Sequence, residues 1–186
     1  MLFLQTANEW SVAGWLALFL TQRLGLSPSS ALWFLSLYCG TLAAGRIAAQ
    51  AILPYVKHGR FLLSSSVAAM FGCMVLTFTD NKFGVFSGIL FLGIGFAPVY
   101  PLLAEYVGER FPGGDPVQYT GVFSLAFIGA LLVTGALGYL AAWAGIKSIL
   151  FVPLAGTTVV TFLLALLWIE ARLAPPGRSP SGAASN

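Results

Sequence analysis

One acidic residue stands well inside an apolar run of this 186-residue chain, Glu9. At 1.5 Å per residue, Glu9 lies about 21 Å along a helix from Arg23, which places it in the inner part of a bilayer. Burying a charge at that depth costs roughly 2.5–3.5 kcal/mol on insertion scales, so Glu9 is expected to face other helices or water. Gln5 and Asn8 share its side of a helix by i, i+3 and i+4 spacing, and Trp15 follows Asn8 by one heptad. A polar trio beside an aromatic ring suits a hydroxylated solute, and a carboxylate can also carry a proton. The bland alternative is a hydrated, idle Glu9 near a helix end. The functional reading is preferred because intramembrane ionisable groups are costly to keep.

A second stretch departs from plain helix in its backbone. From Phe83 to Glu105 the chain is apolar enough to span, yet it holds Gly84, Gly88, Gly93, Gly95, Pro98 and Pro101. Each proline removes a backbone donor and crowds the carbonyl four residues back. Lipid offers no partner for freed carbonyls, so neighbouring helices or a water-filled cavity must supply one. Gly93, Gly95, Pro98 and Pro101 are therefore expected to form a hinge or gate beside a polar pathway. Tyr38, Tyr100, Tyr119 and Ser124 are further candidates for lining that pathway. Arg46, directly after Gly45 near an inner helix end, fits snorkelling or structural pairing better than ligand contact, and it joins the gating group.

These residues need helices to hold them. The sequence is 58% hydrophobic and 8% charged, which no soluble chain of this length can hide from water. Charges separate apolar runs of roughly 20 residues, the length that crosses about 30 Å of hydrocarbon. The runs are Leu2–Leu24, Ser30–Leu53, Phe61–Thr79, Phe83–Ala104, Val117–Trp143 and Ser148–Ile169. They predict an all-α membrane protein with six transmembrane helices over residues 1–173. Residues 174–186, rich in Pro, Gly, Ser and Ala, read as a disordered cytoplasmic tail.

Smaller signals complete this organisation. Ser27-Pro28-Ser29-Ser30 resembles a helix start with proline in the first turn, and Asp115-Pro116 repeats the pattern. Gly40, Ala44 and Ala48 form a row of small residues that lets another helix approach closely. The third run reads as featureless and partly lipid-facing; the sixth reads as peripheral, with only Thr157, Thr158 and Thr161 for polarity. Cys39 and Cys73 fall inside spans, where thiols serve as small packing groups. His58 is the only histidine, so no metal site and no cofactor are expected. No basic patch interleaved with aromatics suggests nucleic acid. The start lacks a basic n-region, so no cleavable signal is expected, and the first span reads as though it begins mid-element. Arg46, Lys57, Arg60, Arg110, Arg172 and Arg178 fall on one side of six spans and Arg23, Lys82 and Lys147 on the other. That bias favours both termini in the cytoplasm.

The first and fourth spans occupy corresponding places in two triplets, one with the buried carboxylate and the other with the Gly/Pro interruptions. Such a matched pair points to a binding site in transporters built from inverted three-helix repeats. The chain resembles the carboxyl-terminal half of a major facilitator superfamily transporter, most nearly the fucose-permease-like sugar symporter branch. Asn8-Glu9 with Trp15-Leu16, Gly45-Arg46, Lys57 with Gly59-Arg60, and Gly93-x-Gly95-x-Ala97-Pro98-x-x-Pro101 carry the likeness. Val56 stands where the superfamily's loop motif is typically acidic. The resemblance implies half of a twelve-helix transporter in a bacterial inner membrane. It implies proton-coupled, alternating-access movement of a sugar or similar small polar solute, and an amino-terminal six-helix half or a second copy as partner. A non-transporting structural or assembly subunit is the alternative, with Glu9 as an interhelical tether. An intramembrane enzyme would need clustered catalytic groups that the sequence lacks.

Overall fold

The computed structural model describes residues 1–56, 58–110 and 116–173. The tail, Lys57 and the Pro112–Asp115 turn with its expected helix cap lie outside the described residues. Helices follow one another throughout. α1 (Leu2–Leu24) ends at Gly25, whose φ of 61° is the left-handed closing conformation that glycine adopts without penalty. α2 (Pro28–Ile52) starts as the sequence predicts: Pro28 sits in its first turn, and the Ser27 hydroxyl accepts from the Ser30 amide at 3.3 Å. After a 3₁₀ turn at Leu53–Tyr55, α3 (His58–Phe78) runs back. The Asn81 side chain then caps α4 (Lys82–Phe96) by accepting from the Gly84 amide at 2.6 Å.

The fourth span is two helices rather than one. α4 stops at Phe96, and α5 (Val99–Arg110) begins after a turn at Ala97 and Pro98. The Ala97 amide still reaches the Gly93 carbonyl at 3.1 Å, and the ladder resumes where the Leu102 amide meets the Pro98 carbonyl at 3.2 Å. Between them, the missing proline donor opens the helix. α6 (Pro116–Ala144), a 3₁₀ segment at Ile146–Leu150 and α7 (Phe151–Leu173) complete the described chain.

Among the described residues, five spans are long and apolar enough to cross a membrane by themselves: Pro28–Tyr55, His58–Phe78, Lys82–Leu103, Phe123–Ala144 and Ile146–Glu170. α1 matches them in length but is diluted by Gln5, Thr6, Asn8 and Glu9, and it sits among the others with ten of its residues buried. The packing follows an approximate two-fold rule. α1 packs on α6 as α4 packs on α2, α3 packs on α4 as α7 packs on α1, and α3 meets α7. Exchanging α1–α2–α3 with α4/α5–α6–α7 leaves that set of pairings unchanged. This is the arrangement of two inverted three-helix repeats.

The third and sixth spans are more than lipid-facing cylinders. Val67, Phe71, Met74 and Phe78 form the open stripe of α3, but Ser65, Ser66, Cys73 and Thr77 are buried. The Ser66 and Thr161 hydroxyls are 2.6 Å apart, and the Cys73 Sγ lies 3.5 Å from the Thr157 hydroxyl. Two of the three threonines read as scant polarity on a peripheral helix therefore seam α7 to α3. Thr158, exposed, bonds only to its own helix at the Leu154 carbonyl.

Glycines set how closely α4 lies against its neighbours. A Cβ on Gly72 would come within 2.5 Å of the Leu92 amide nitrogen, and one on Gly95 would meet the Ala69 backbone. On the other side, a Cβ on Gly45 would lie 2.6 Å from that of Ala97, and one on Gly93 would strike the Thr41 side chain. Thus the weakest part of the backbone is clasped by α2 and α3, with Gly93, Gly95, Phe96, Ala97, Pro98 and Val99 all buried.

Candidate functional site

The clasp at Gly45 has a direct consequence for the next residue. α2 is drawn against the α4–α5 break there, and one residue on, about 100° further round the helix, Arg46 points towards α1. Its Nη2 donates to Glu9 Oε1 at 2.5 Å, forming an ion pair between α1 and α2. The Glu9 side chain is 12% exposed and that of Arg46 41%. Both residues lie roughly 10 Å from the helix ends that share this side of the bundle. Each partner lowers the burial cost of the other, which explains how two charges persist there.

Tyr38 supports this pair from within. It is fully buried, and its hydroxyl donates to the Glu9 backbone carbonyl at 3.4 Å. It therefore braces α1 against α2 rather than facing an open route. Gln5 and Asn8 are likewise buried, at 1% and 2% exposure. Asn8 lies against Gly156 of α7, where any Cβ would collide with the amide. The Gln5 Nε2, Asn8 Nδ2 and Ser11 Oγ atoms are buried with no bond partner among the described residues. Unpaired buried donors of this kind ordinarily hold ordered water. Trp15 ties α1 to α6, its indole N–H donating to the Thr134 carbonyl at 3.0 Å.

The remaining sequence candidates spread outwards. Tyr100 on α5 is half-buried, with its ring 6.1 Å from that of Phe123 on α6. Ser124 is exposed on α6, and Tyr119 belongs to the same helix, its side chain outside what is described. The structure thus gathers Glu9, Arg46 and Tyr38 in one cluster and leaves Tyr100 and Ser124 apart from it. Pro98 follows Ala97 and the Gly93 carbonyl accepts the Ala97 amide, and Gly45 lies against Ala97, so the helix break and the ion pair adjoin through α2.

Sequence reasoning treated Glu9 as a solitary carboxylate. Depth would have exposed its partner, since Glu9 and Arg46 stand about the same number of residues from corresponding helix ends. At the opposite end Arg23 ties α1 to the end of α3, donating to the Thr77 carbonyl at 2.8 Å and to Asp80, just beyond that helix, at 3.0 Å. With Asp80 78% exposed, that pair contributes little stability. A groove of about 680 Å³ between α6 and α7, lined by Val133, Ala136, Leu137, Tyr139, Leu140, Trp143 and Val152, is almost wholly apolar. It suits a lipid chain and is remote from the chemistry.

The described residues form a helical bundle with the pairings of two inverted repeats and an ion pair beside a broken helix, an architecture of the class that secondary transporters use. Comparisons with known proteins agree with that class. No family model matches the sequence. An uncharacterised MFS-type transporter of Yersinia pestis is 24% identical over 139 residues, covering 75% of this chain and 36% of the relative. The POT family transporter PepTSo superposes with a TM-score of 0.76 at 15% identity, covering 97% of this chain and 39% of that one. A POT peptide transporter in complex with alafosfalin gives 0.72 at 18% identity, covering 92% and 37%. At these identities the solved structures establish the fold, and the chain spans little more than a third of the proteins it matches.

Proposed function

We propose that this chain is one half of a major facilitator secondary transporter, the carboxyl-terminal half by its resemblance. It would carry a small polar solute across a membrane by alternating access. The observation that bears most weight is the partly buried Glu9–Arg46 pair between α1 and α2, near the Ala97–Pro98 break. Glu9 is the group for proton coupling: a proton on its carboxylate would loosen Arg46 and with it the grip of α2 on α1. The break lets α4 and α5 change their angle as that grip changes. The sugar class follows only from the fucose-permease-like resemblance, whereas the named structural neighbours include a peptide transporter. A complementary six-helix half, or a second copy, would complete the cavity, since a lone bundle would leave Arg46 to lipid. Both termini are proposed to lie in the cytoplasm, on the inner membrane of a bacterium.

Uptake into proteoliposomes by the complete transporter tests this reading. Glu9→Gln keeps shape and most hydrogen bonding but cannot ionise, so it should abolish uphill accumulation while sparing solute binding. Normal accumulation by Glu9→Gln, or robust uptake by the monomeric six-helix chain alone, would overturn it. Single cysteines at Ser27, Asn81 and Gly145 should label from outside, and at Gly59 and Gly113 from inside; the reverse pattern would invert the orientation.

A further inference from the structure

The guanidinium of Arg46 is larger than the use Glu9 makes of it. It carries five N–H donors, and the contact with Glu9 engages Nη2. Nε is buried with no partner among the described residues, while two-fifths of the side chain remains open on the side of α2 that no helix of this bundle covers. Ala43, Ile47 and Gln50, on either side of Arg46 along α2, are exposed as well. A charge left to lipid is costly unless it snorkels to the interface, so water, solute or protein is the better partner for the open edge.

We infer that the open edge of Arg46 is a binding site for a second carboxylate, carried by the transported solute. A planar fork with free donors recognises a carboxylate through two parallel bonds, a geometry that a neutral hydroxyl cannot reproduce. Gln50, one turn along the same helix, is placed to add an amide contact. Glu9 and the solute then compete for one cation. A proton on Glu9 frees the guanidinium for the solute, and departure of the solute returns Arg46 to Glu9. This reading rests on the transporter assignment and narrows its solute to small molecules bearing a carboxyl group.

Matched probes isolate that group: galactose against galacturonate, and glycylglycinamide against glycylglycine. Thermal stabilisation of the complete purified transporter is measured with each at equal concentration, in parallel with proteoliposome uptake. An acid of at least one pair should stabilise where its neutral counterpart does not. Arg46→Lys retains the charge, and with it the fold, but loses the fork; it should weaken the acid by about tenfold or more. Glu9→Gln, which removes the competitor, should bind the acid at least as tightly as the native protein. Equal effects of acid and neutral probes would overturn the inference while leaving a transporter of neutral solutes. Acid preference that survives Arg46→Lys and Arg46→Gln would overturn it too. So would rescue of Arg46→Gln stability by neutralising one carboxylate elsewhere in the protein, because the second carboxylate would then be a side chain. Absence of uptake of any probe by the complete protein would count against the transporter reading itself.

Discussion

α1 and the α4–α5 span exchange places under the approximate two-fold of the bundle, yet they depart from a plain apolar helix in opposite ways. α1 is unbroken over Leu2–Leu24 and carries its irregularity in side chains: Gln5, Asn8 and Glu9. The α4–α5 span has no charge between Lys82 and Glu105 and carries its irregularity in the backbone, at Ala97–Pro98. In each case neighbours cover the weak point. Arg46 answers the charge, and close crossings by α2 and α3 enclose the break. The difference shows that a membrane helix can hold either an ionisable group or an opened ladder where protein, rather than lipid, surrounds it.

The comparison can be broken most severely on the backbone side. Gly72→Leu or Gly95→Leu forces a side chain into backbone atoms of the facing helix, which side-chain rotation cannot relieve. Each should cost about 3 kcal/mol, seen as a large drop in the unfolding temperature in detergent. The paired Gly93→Leu and Gly95→Leu change should also slow exchange between inward-open and outward-open states; unchanged transport would make the break a mere irregularity.

Breaking the side-chain half comes next. Arg46→Met leaves Glu9 charged, buried and unpaired. Complete loss of a partner from a buried pair costs about 3–5 kcal/mol, and the partial exposure of Arg46 lowers this to about 2 kcal/mol. Combining it with Glu9→Gln should recover much of that loss, so a double-mutant cycle with no coupling would remove the pair from the account.

Smaller changes sharpen the contrast. Trp15→Phe removes both the bond to the Thr134 carbonyl and the outer indole atoms that lie against Gly138, and should cost about 1–2 kcal/mol. Gly40→Ala is the limiting case, because among the described residues no atom outside its own helical backbone lies within 4 Å of the added methyl. It should shift stability by less than about 0.5 kcal/mol in the isolated chain. A much larger loss in the twelve-helix transporter proposed above would show that the row Gly40, Ala44 and Ala48 packs against its proposed other half.

The sequence alone carried the broad architecture. Runs of apolar residues near 20 in length, separated by charges, set the spans, because hydrocarbon thickness leaves helices little choice of length. Ser27-Pro28 and Pro98 set local starts and stops, because capping and proline chemistry act within a few residues. Depth along a span was also readable, and it sets Glu9 and Arg46 about equally far from corresponding helix ends. Only the tertiary structure decided direction around each helix. A run such as α3, apolar at nearly every position, has no strong face, so nothing in its order shows that Ser66 meets Thr161 or that Cys73 meets Thr157. Gly93 and Gly95, read as a hinge, are also contact points, as is Gly72, because what a missing Cβ permits depends on the helix across from it. The Glu9–Arg46 pair belongs to the same class: its members lie 37 positions apart, and they meet because Gly45 lets α2 close against the break in α4–α5.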